Sequence, residues 1–309
     1  MAGSTTTVGA IVPVYGEAPF LAAALDSVLE HDRAPEQVVV VDDGSPTPIA
    51  LEARQADGCT LVRREQRSGP AAARNSGLEV LGTDLVALVD SDDLWVEGKL
   101  AAQLEAFERH PQAGLCFGRA VIVGADGEPT GARLAEPPAG LLDRERFGAA
   151  LFADNPIPTS SVLVRRTALE RAGGFRAPAD GLVGGCDWDL WLRLLERDEV
   201  LFCEPRARVR YRRHPGGLTA DLAVTAEQAL AVQAAHPGLV DVDTRRRVEA
   251  GSRTLLARAR VRQRRYADAR AELRRAAALW PPGPRERALA VLLRVPGVRA
   301  GLGRRSHYR

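Results

Sequence analysis

Five apolar residues, Leu85-Val86-Ala87-Leu88-Val89, run without a break into Asp90-Ser91-Asp92-Asp93. An apolar run of this length with two β-branched members suits a strand buried on both faces, and such strands belong mainly to parallel sheets covered by helices. The carboxylates are then delivered to the strand's carboxyl end, the rim at which open α/β sheets bind their ligands. Crowded together they repel, and without a positive partner each is driven toward its neutral form. A hard divalent cation, often itself bound to a phosphate, relieves that cost. The alternative is a helix cap, with Asp92 or Asp93 starting a helix over Leu94–Arg109. The two readings are compatible.

The segments around this run repeat its layout. Val8 to Tyr15 reads as a strand broken near Pro13. Phe20, Leu21, Leu25, Val28 and Leu29 then recur at helical spacing, and Pro35 ends that helix ahead of Val38-Val39-Val40-Val41, a second buried-strand candidate closed by Asp42-Asp43-Gly44-Ser45. Leu61-Val62 is a short third strand, and Gly69-Pro70 opens a helix over Ala71–Leu81. Strands alternating with helices at this spacing imply a mainly parallel sheet with helices on both faces. Beyond His110-Pro111 the pattern loosens. Leu115–Phe117 and Val121–Val123 read as two strands, Gly124–Gly127 as a hairpin turn, and Gly127–Gly140 and Gly173–Gly185 as surface loops. From Thr225 onward alanine, leucine and arginine dominate and predict helices. The stretch from Tyr266 to Pro281 resembles half of a tetratricopeptide-type repeat; a single unit also fits an ordinary helical hairpin.

At 309 residues the chain can bury one large domain and a smaller appendage. No apolar stretch approaches the roughly 20 residues that span a bilayer. The residues Met1 to Thr7 are small and polar and lack a basic leader, which points to a cytoplasmic protein. Cys59, Cys116, Cys186 and Cys203 form no Cys-x-x-Cys pair and are expected as reduced thiols without zinc. The net charge of +2 conceals an imbalance: Thr244–Arg309 carries nineteen arginines against four acids, and the rest of the chain is correspondingly acidic. Such a tail can meet anionic lipid, nucleic acid or the acidic body of its own chain. A peripheral membrane surface at the inner face is the preferred reading, and nucleic acid is not expected.

Four ordered blocks carry a resemblance to a known family. They are Ile11-Val12-Pro13-Val14-Tyr15, Val40-Val41-Asp42-Asp43-Gly44-Ser45, Gly69-Pro70-Ala71-Ala72-Ala73-Arg74-Asn75-Ser76-Gly77 and Leu88-Val89-Asp90-Ser91-Asp92-Asp93. Over residues 8 to 215 the chain resembles an inverting family 2 glycosyltransferase with a GT-A fold. The resemblance implies a Rossmann-like, mainly parallel sheet flanked by helices; the C-terminal helical extension, read from composition, lies outside it. Residues 1–105 would form the nucleotide-sugar-binding half, 106–222 the acceptor-binding half and 223–309 the basic extension.

By the same resemblance, Pro13, Tyr15, Asp42 and Arg74 line the base and ribose site, with Glu17 as a further contact. Gly16 stands where the family commonly has Asn. Arg74 could instead be a surface helix residue paired with Glu79 or another acid. Asp90-Ser91-Asp92 matches the family's Asp-x-Asp motif, in which Asp90 approaches ribose or metal-bound water and Asp92 binds Mn²⁺ or Mg²⁺ on the diphosphate. His214 in Tyr211-Arg212-Arg213-His214-Pro215-Gly216 completes the metal or diphosphate site, unless it is structural. Asp93 is a candidate cap for the next helix. Inversion needs a base, and Asp187 occupies the Asp of the family's Glu-Asp pair, with Cys186 in place of the Glu and Asp189 as the fallback. Asp187 could also cap a helix beginning near Trp188.

The implied donor is a nucleoside-diphosphate sugar, most readily UDP-linked, and the implied acceptor a glycan or lipid-linked glycan precursor. No Gly-x-x-x-x-Gly-Lys-Ser/Thr motif is present, since the one lysine, Lys99, precedes Leu100, and no Gly-x-Gly-x-x-Gly follows the early strands. The competing reading is a degenerate, non-catalytic scaffold that uses its basic tail for a partner.

Overall fold

A computed structural model of the chain describes residues 6–176, 184–217 and 221–293. The chain divides into two compact units, one over 1–151 and 155–214, the other over 152–154 and 215–309.

The first unit opens with β1 (Val8–Val14), α1 (Leu21–Leu29), β2 (Gln37–Asp42), α2 (Ala53–Gly58), β3 (Thr60–Arg63), α3 (Pro70–Val80) and β4 (Leu85–Leu88). These strands lie parallel in the order β3-β2-β1-β4. Val38 to Val41 and Leu85 to Val89 are buried, as runs apolar on both faces require. The register sets Val14 beside Asp42 and Asp42 beside Arg63, so the acidic turns after β2 and β4 share one rim.

β1 is not broken at Pro13, contrary to expectation: the strand continues and Pro13 pairs with Val41. The Val14 carbonyl accepts from Asp43 on the β2 side, whereas Ile11 accepts from Val89 on the β4 side, so Pro13 faces β4 two residues beyond their last pair. Its missing N–H therefore costs no ladder bond.

β5 (Leu94–Trp95), α4 (Lys99–Arg109), β6 (Ala113–Val123), β7 (Gly140–Leu142), α5 (Arg144–Ala153), a 3₁₀ turn (Thr159–Ser161), β8 (Leu163–Arg165), α6 (Arg166–Ala172), α7 (Cys186–Glu196) and β9 (Val200–Arg212) follow. They extend the sheet through β8, β6, β9 and β5, with β7 on β9. The sheet is mixed, because β8 enters antiparallel between β4 and β6 while β6 and β9 run parallel. The helix expected from Leu94 begins only at Lys99, after Gly98 in a left-handed conformation. Leu94 and Trp95 instead pair with Arg210 and Val209. The two strands expected within 115–123 are one, with a register shift between Phe117 and Arg119. There a side chain on Gly118 would collide with the Ala207 carbonyl, so the shift depends on glycine. Part of the expected loop at Gly173–Gly185, residues 177–183, lies outside the described residues.

Lys99 is fully buried, donates to Gln103 Oε1 at 2.8 Å and sits 3.9 Å from the centre of the Trp95 ring. Burial pushes its ammonium from 10.5 down to about 7. Below pH 7 the folded and unfolded chains both hold the proton and the burial cost is felt in full. Between pH 7 and 10.5 the unfolded chain holds more protons, so stability rises with pH. Between pH 7 and 9 the native chain is expected to gain about 2 kcal/mol relative to Lys99→Met in urea unfolding. Parallel pH profiles for the two proteins would contradict this.

The second unit contains α8 (Leu222–Ala235), α9 (Val242–Arg262), α10 (Tyr266–Leu279) and α11 (Pro284–Leu292). Asp221 and Asp241 cap α8 and α9 by accepting backbone N–H bonds, which satisfies donors that a helix start leaves orphaned. Ala257, Val261, Ala269, Leu273 and Leu293 form one small core, and Ala223, Ala226, Leu256 and Ala259 another. Several arginines are neutralised within this unit, Arg253 by Glu249 and Glu272 and Arg260 by Glu227. The end of the basic tail, residues 294–309, lies outside the described residues.

Candidate active site

The turn after β2 organises the first part of the rim. Asp42 is buried. Its Oδ1 accepts from the Ser45 N–H at 2.8 Å, and its Oδ2 from Ile49 N–H at 3.3 Å and Arg63 Nη1 at 3.0 Å. Burial would raise this carboxyl, but hydrogen bonds from Ser45 and Ile49 and the Arg63 charge outweigh it and hold the group below its ordinary value. Asp42 thus fastens the Ser45–Ile49 loop, and its side chain is turned inward. Asp43 accepts from Ser68 and Gly69 N–H groups at 3.1 and 2.7 Å and pairs with Arg64. Gly44, at φ +72°, lets the two turns close up: a Cβ there would lie 2.7 Å from the Arg67 nitrogen. Arg67 then lies over the exposed Tyr15 ring, 4.1 Å from its centre. Pro13 stands one residue before the end of β1. Glu17 is exposed and lines a cleft of about 590 Å³ with Pro46 to Ala50 and Gln55, a cleft that includes neither Asp42 nor the β4 acids.

Arg74, on α3, is buried and reaches the turn after β4: its Nη2 donates to Asp90 Oδ1 at 2.7 Å and its Nη1 lies 3.4 Å from Cys186 Sγ. Arg74 is therefore not a surface residue, and the acid it pairs with is Asp90 and not Glu79. Cys186, where the family has Glu, is a buried thiol pushed up to about 11 by burial. It offers Arg74 no anion.

Asp92 Oδ2 lies 3.0 Å from His214 Nε2, so these two side chains converge as expected. Asp90, expected with them on a cation, has its Oδ1 paired with Arg74. Among the described residues no three His, Cys, Asp or Glu side chains converge on one cation position. Asp93 caps no helix. It is buried, accepting from Ser160 Oγ at 2.6 Å and the Arg212 N–H at 2.8 Å. Burial, with Asp90 and Asp92 alongside, pushes Asp93 well above the usual carboxylate range. Burial also raises Asp90, against Arg74 and with help from Asp92 and Asp187.

Burial and the crowding of acids on this rim thus both disfavour the charged carboxylates. A carboxylate oxygen and an imidazole nitrogen at Asp92 and His214 fit a divalent ion whose shell is completed by phosphate oxygens and water.

Asp187 does not cap its helix. α7 starts at Cys186 after left-handed Gly185, and Asp187 lies in the first turn. Its Oδ2 accepts from Thr159 Oγ1 at 2.9 Å and Asn155 Nδ2 at 3.2 Å. The fallback, Asp189, is fully buried and held by Arg193 at 2.7 Å and Arg176 at 3.2 Å, so it is a structural ion pair and not a base. Arg63, Arg67, Arg212 and Thr159 escaped the sequence reading. Only Arg63 had a local signal, since the residue closing β3 must lie beside the residue closing β2 once those strands pair in register.

A family model described as glycosyl transferase family 2 matches residues 10–171. A pre-mycofactocin glycosyltransferase of Mycobacterium tuberculosis is 33% identical over 180 residues, covering 57% of this chain and 37% of its own. The chain thus spans little more than a third of that relative's length. Among solved structures, S. aureus TarS 1–349 in complex with UDP-GlcNAc aligns over 96% of this chain and 88% of its own with TM-score 0.58 and 16% identity. The mannosyltransferase PcManGT from Pyrobaculum calidifontis, in complex with GDP-Man and Mn²⁺, aligns over 97% and 84% with TM-score 0.59 and 21% identity. At these identities the likeness is one of fold.

Proposed function

Because the chain belongs to glycosyl transferase family 2 and has the GT-A fold, we propose that it transfers a sugar, with inversion, from a nucleoside-diphosphate sugar to a hydroxyl acceptor with the help of a divalent cation. The observation that carries this reading is the meeting of Asp92 with His214 and of Asp90 with Arg74 on the rim whose charge also reaches Asp187.

The nucleoside would lie against Tyr15, with Arg67 over the ring and Pro13 and Glu17 at the margins. Asp42 would present to the base the acceptor position on Oδ1 that Ser45 leaves, once the Ser45–Ile49 loop yields. Arg74 would act through Asp90, holding it toward the ribose. Asp92 and His214 would hold Mn²⁺ or Mg²⁺, which supplies Lewis-acid stabilisation of the departing diphosphate.

Asp187 would take the acceptor hydroxyl's proton as that oxygen bonds to the anomeric carbon. The bond from that carbon to the diphosphate breaks and its electron pair leaves on the phosphate oxygen. A single displacement from the opposite face inverts the centre. Residues 1–105 would then serve the donor and 106–222 the acceptor, with a glycan or lipid-linked glycan as the acceptor class. Among the described residues no helix is long and apolar enough to cross a membrane. The exposed arginines of α9, such as Arg246 and Arg247, would provide peripheral contact with an anionic inner-face surface.

Calorimetry of UDP, GDP and dTDP with Mn²⁺, repeated with chelator, tests the reading. Metal-dependent binding of one nucleotide, UDP foremost, is expected. Absence of binding by all three would sink the enzymatic reading and favour a scaffold.

A further inference from the structure

Three consecutive hydroxyl side chains, Thr159, Ser160 and Ser161, are buried where apolar residues would cost less to enclose. Each hydroxyl is used. Thr159 Oγ1 donates to Asp187 Oδ2 at 2.9 Å. Ser160 Oγ accepts the Asp90 N–H at 2.9 Å and donates to Asp93 Oδ2 at 2.6 Å. Ser161 Oγ closes the turn on the Pro158 carbonyl at 2.7 Å.

The turn is braced from behind. Gln103 Nε2 donates to the Ser161 carbonyl at 2.8 Å while Gln103 Oε1 accepts from Lys99. On the far side of Asp93, the Arg212 N–H donates to Oδ1 and Arg212 Nε to the Asp92 carbonyl at 2.9 Å, two residues before His214. One 3₁₀ turn thus touches the segment that carries Asp90 to Asp93 and the side chain of Asp187.

We propose that this turn is a positioning element that sets the proposed base against the donor-side acids, with Ser160 fixing the Asp90–Asp93 segment and Thr159 aiming Asp187. The proposal rests on the reading of Asp187 as base. Neither residue touches the reacting atoms. Each acts by holding a carboxylate in one orientation, and a misplacement of about 1 Å at such a group can cost about 100-fold in rate.

The full-length chain is tested with Thr159→Val, Thr159→Ser and Ser160→Ala, all checked for cooperative melting. Affinity for UDP, GDP and dTDP with Mn²⁺ is read by calorimetry, and kcat and KM by release of nucleoside diphosphate from UDP-glucose, UDP-N-acetylglucosamine and GDP-mannose. Thr159→Val is expected to keep nucleotide affinity and donor KM within about twofold and lose about 10- to 100-fold in kcat, with Thr159→Ser restoring most of it. Ser160→Ala is expected to weaken metal-dependent nucleotide binding about 10-fold.

Native kcat in Thr159→Val, or a loss that Thr159→Ser does not repair, would overturn the aiming role. Unchanged affinity in Ser160→Ala would overturn the donor side whether or not turnover is seen. A native chain that binds none of the three nucleotides would overturn the proposed function and the positioning role together.

Discussion

Replacing Asp187 with asparagine is expected to lower sugar transfer by about 10²- to 10⁴-fold while nucleotide affinity stays within about twofold of native. The amide matches the carboxylate in shape, and its oxygen can still accept from Thr159 and Asn155, the partners that hold Asp187. What it cannot do is take up the acceptor's proton. The loss should therefore fall on kcat, with little change in donor KM, because the base acts only as the acceptor oxygen attacks. Steady-state kinetics with the donor identified by calorimetry decides the matter. Native turnover by Asp187→Asn would remove the base from the mechanism, and Asp189 could not replace it, since Arg193 and Arg176 already hold that carboxylate in the interior.

Asp92→Asn should abolish the metal dependence of nucleotide binding. With Mn²⁺ present, affinity is expected to fall about 100-fold or more, since loss of an outer-sphere partner alone costs about 10- to 100-fold at metal sites. With chelator, the variant should bind as well as the native chain or better, because one negative charge no longer repels the diphosphate. This crossing pattern separates a ligand role from general damage to the rim, which would weaken both conditions alike. Equal Mn²⁺ enhancement in the two proteins would clear Asp92 of the role. His214, 3.0 Å from Asp92, would then lose the partner that places it in the same site.

The parts of this site that could be read in advance are those written locally. Val38 to Asp43 and Leu85 to Asp93 announce a buried strand and its acidic exit within ten residues, and Arg74 follows a Gly-Pro helix start. The parts that could not be read are contacts between distant segments. Thr159 meets Asp187 across 28 residues and Ser160 meets Asp93 across 67, and no spacing rule connects them.

Leu94-Trp95 was misread for the same reason: its apolar residues continue a helical pattern into Lys99–Arg109, and only pairing with β9, more than a hundred residues later, makes them a strand. Asp42 illustrates a subtler limit. Its position at the end of β2 was legible, but the direction of its carboxylate was set by Arg63 and the Ser45–Ile49 loop. Arg74 likewise could be placed on a helix, but its ion pair with Asp90 is set by how α3 packs beside the turn after β4.

The sole lysine of the chain lies wholly inside the sheet-bearing unit, against Trp95 and Gln103. No lysine amine is therefore offered to solvent while the fold is closed, and an acylating reagent can reach Lys99 only when the core opens. Its labelling rate in native buffer becomes a clock for that opening, read at one residue by peptide mass, with no engineered probe.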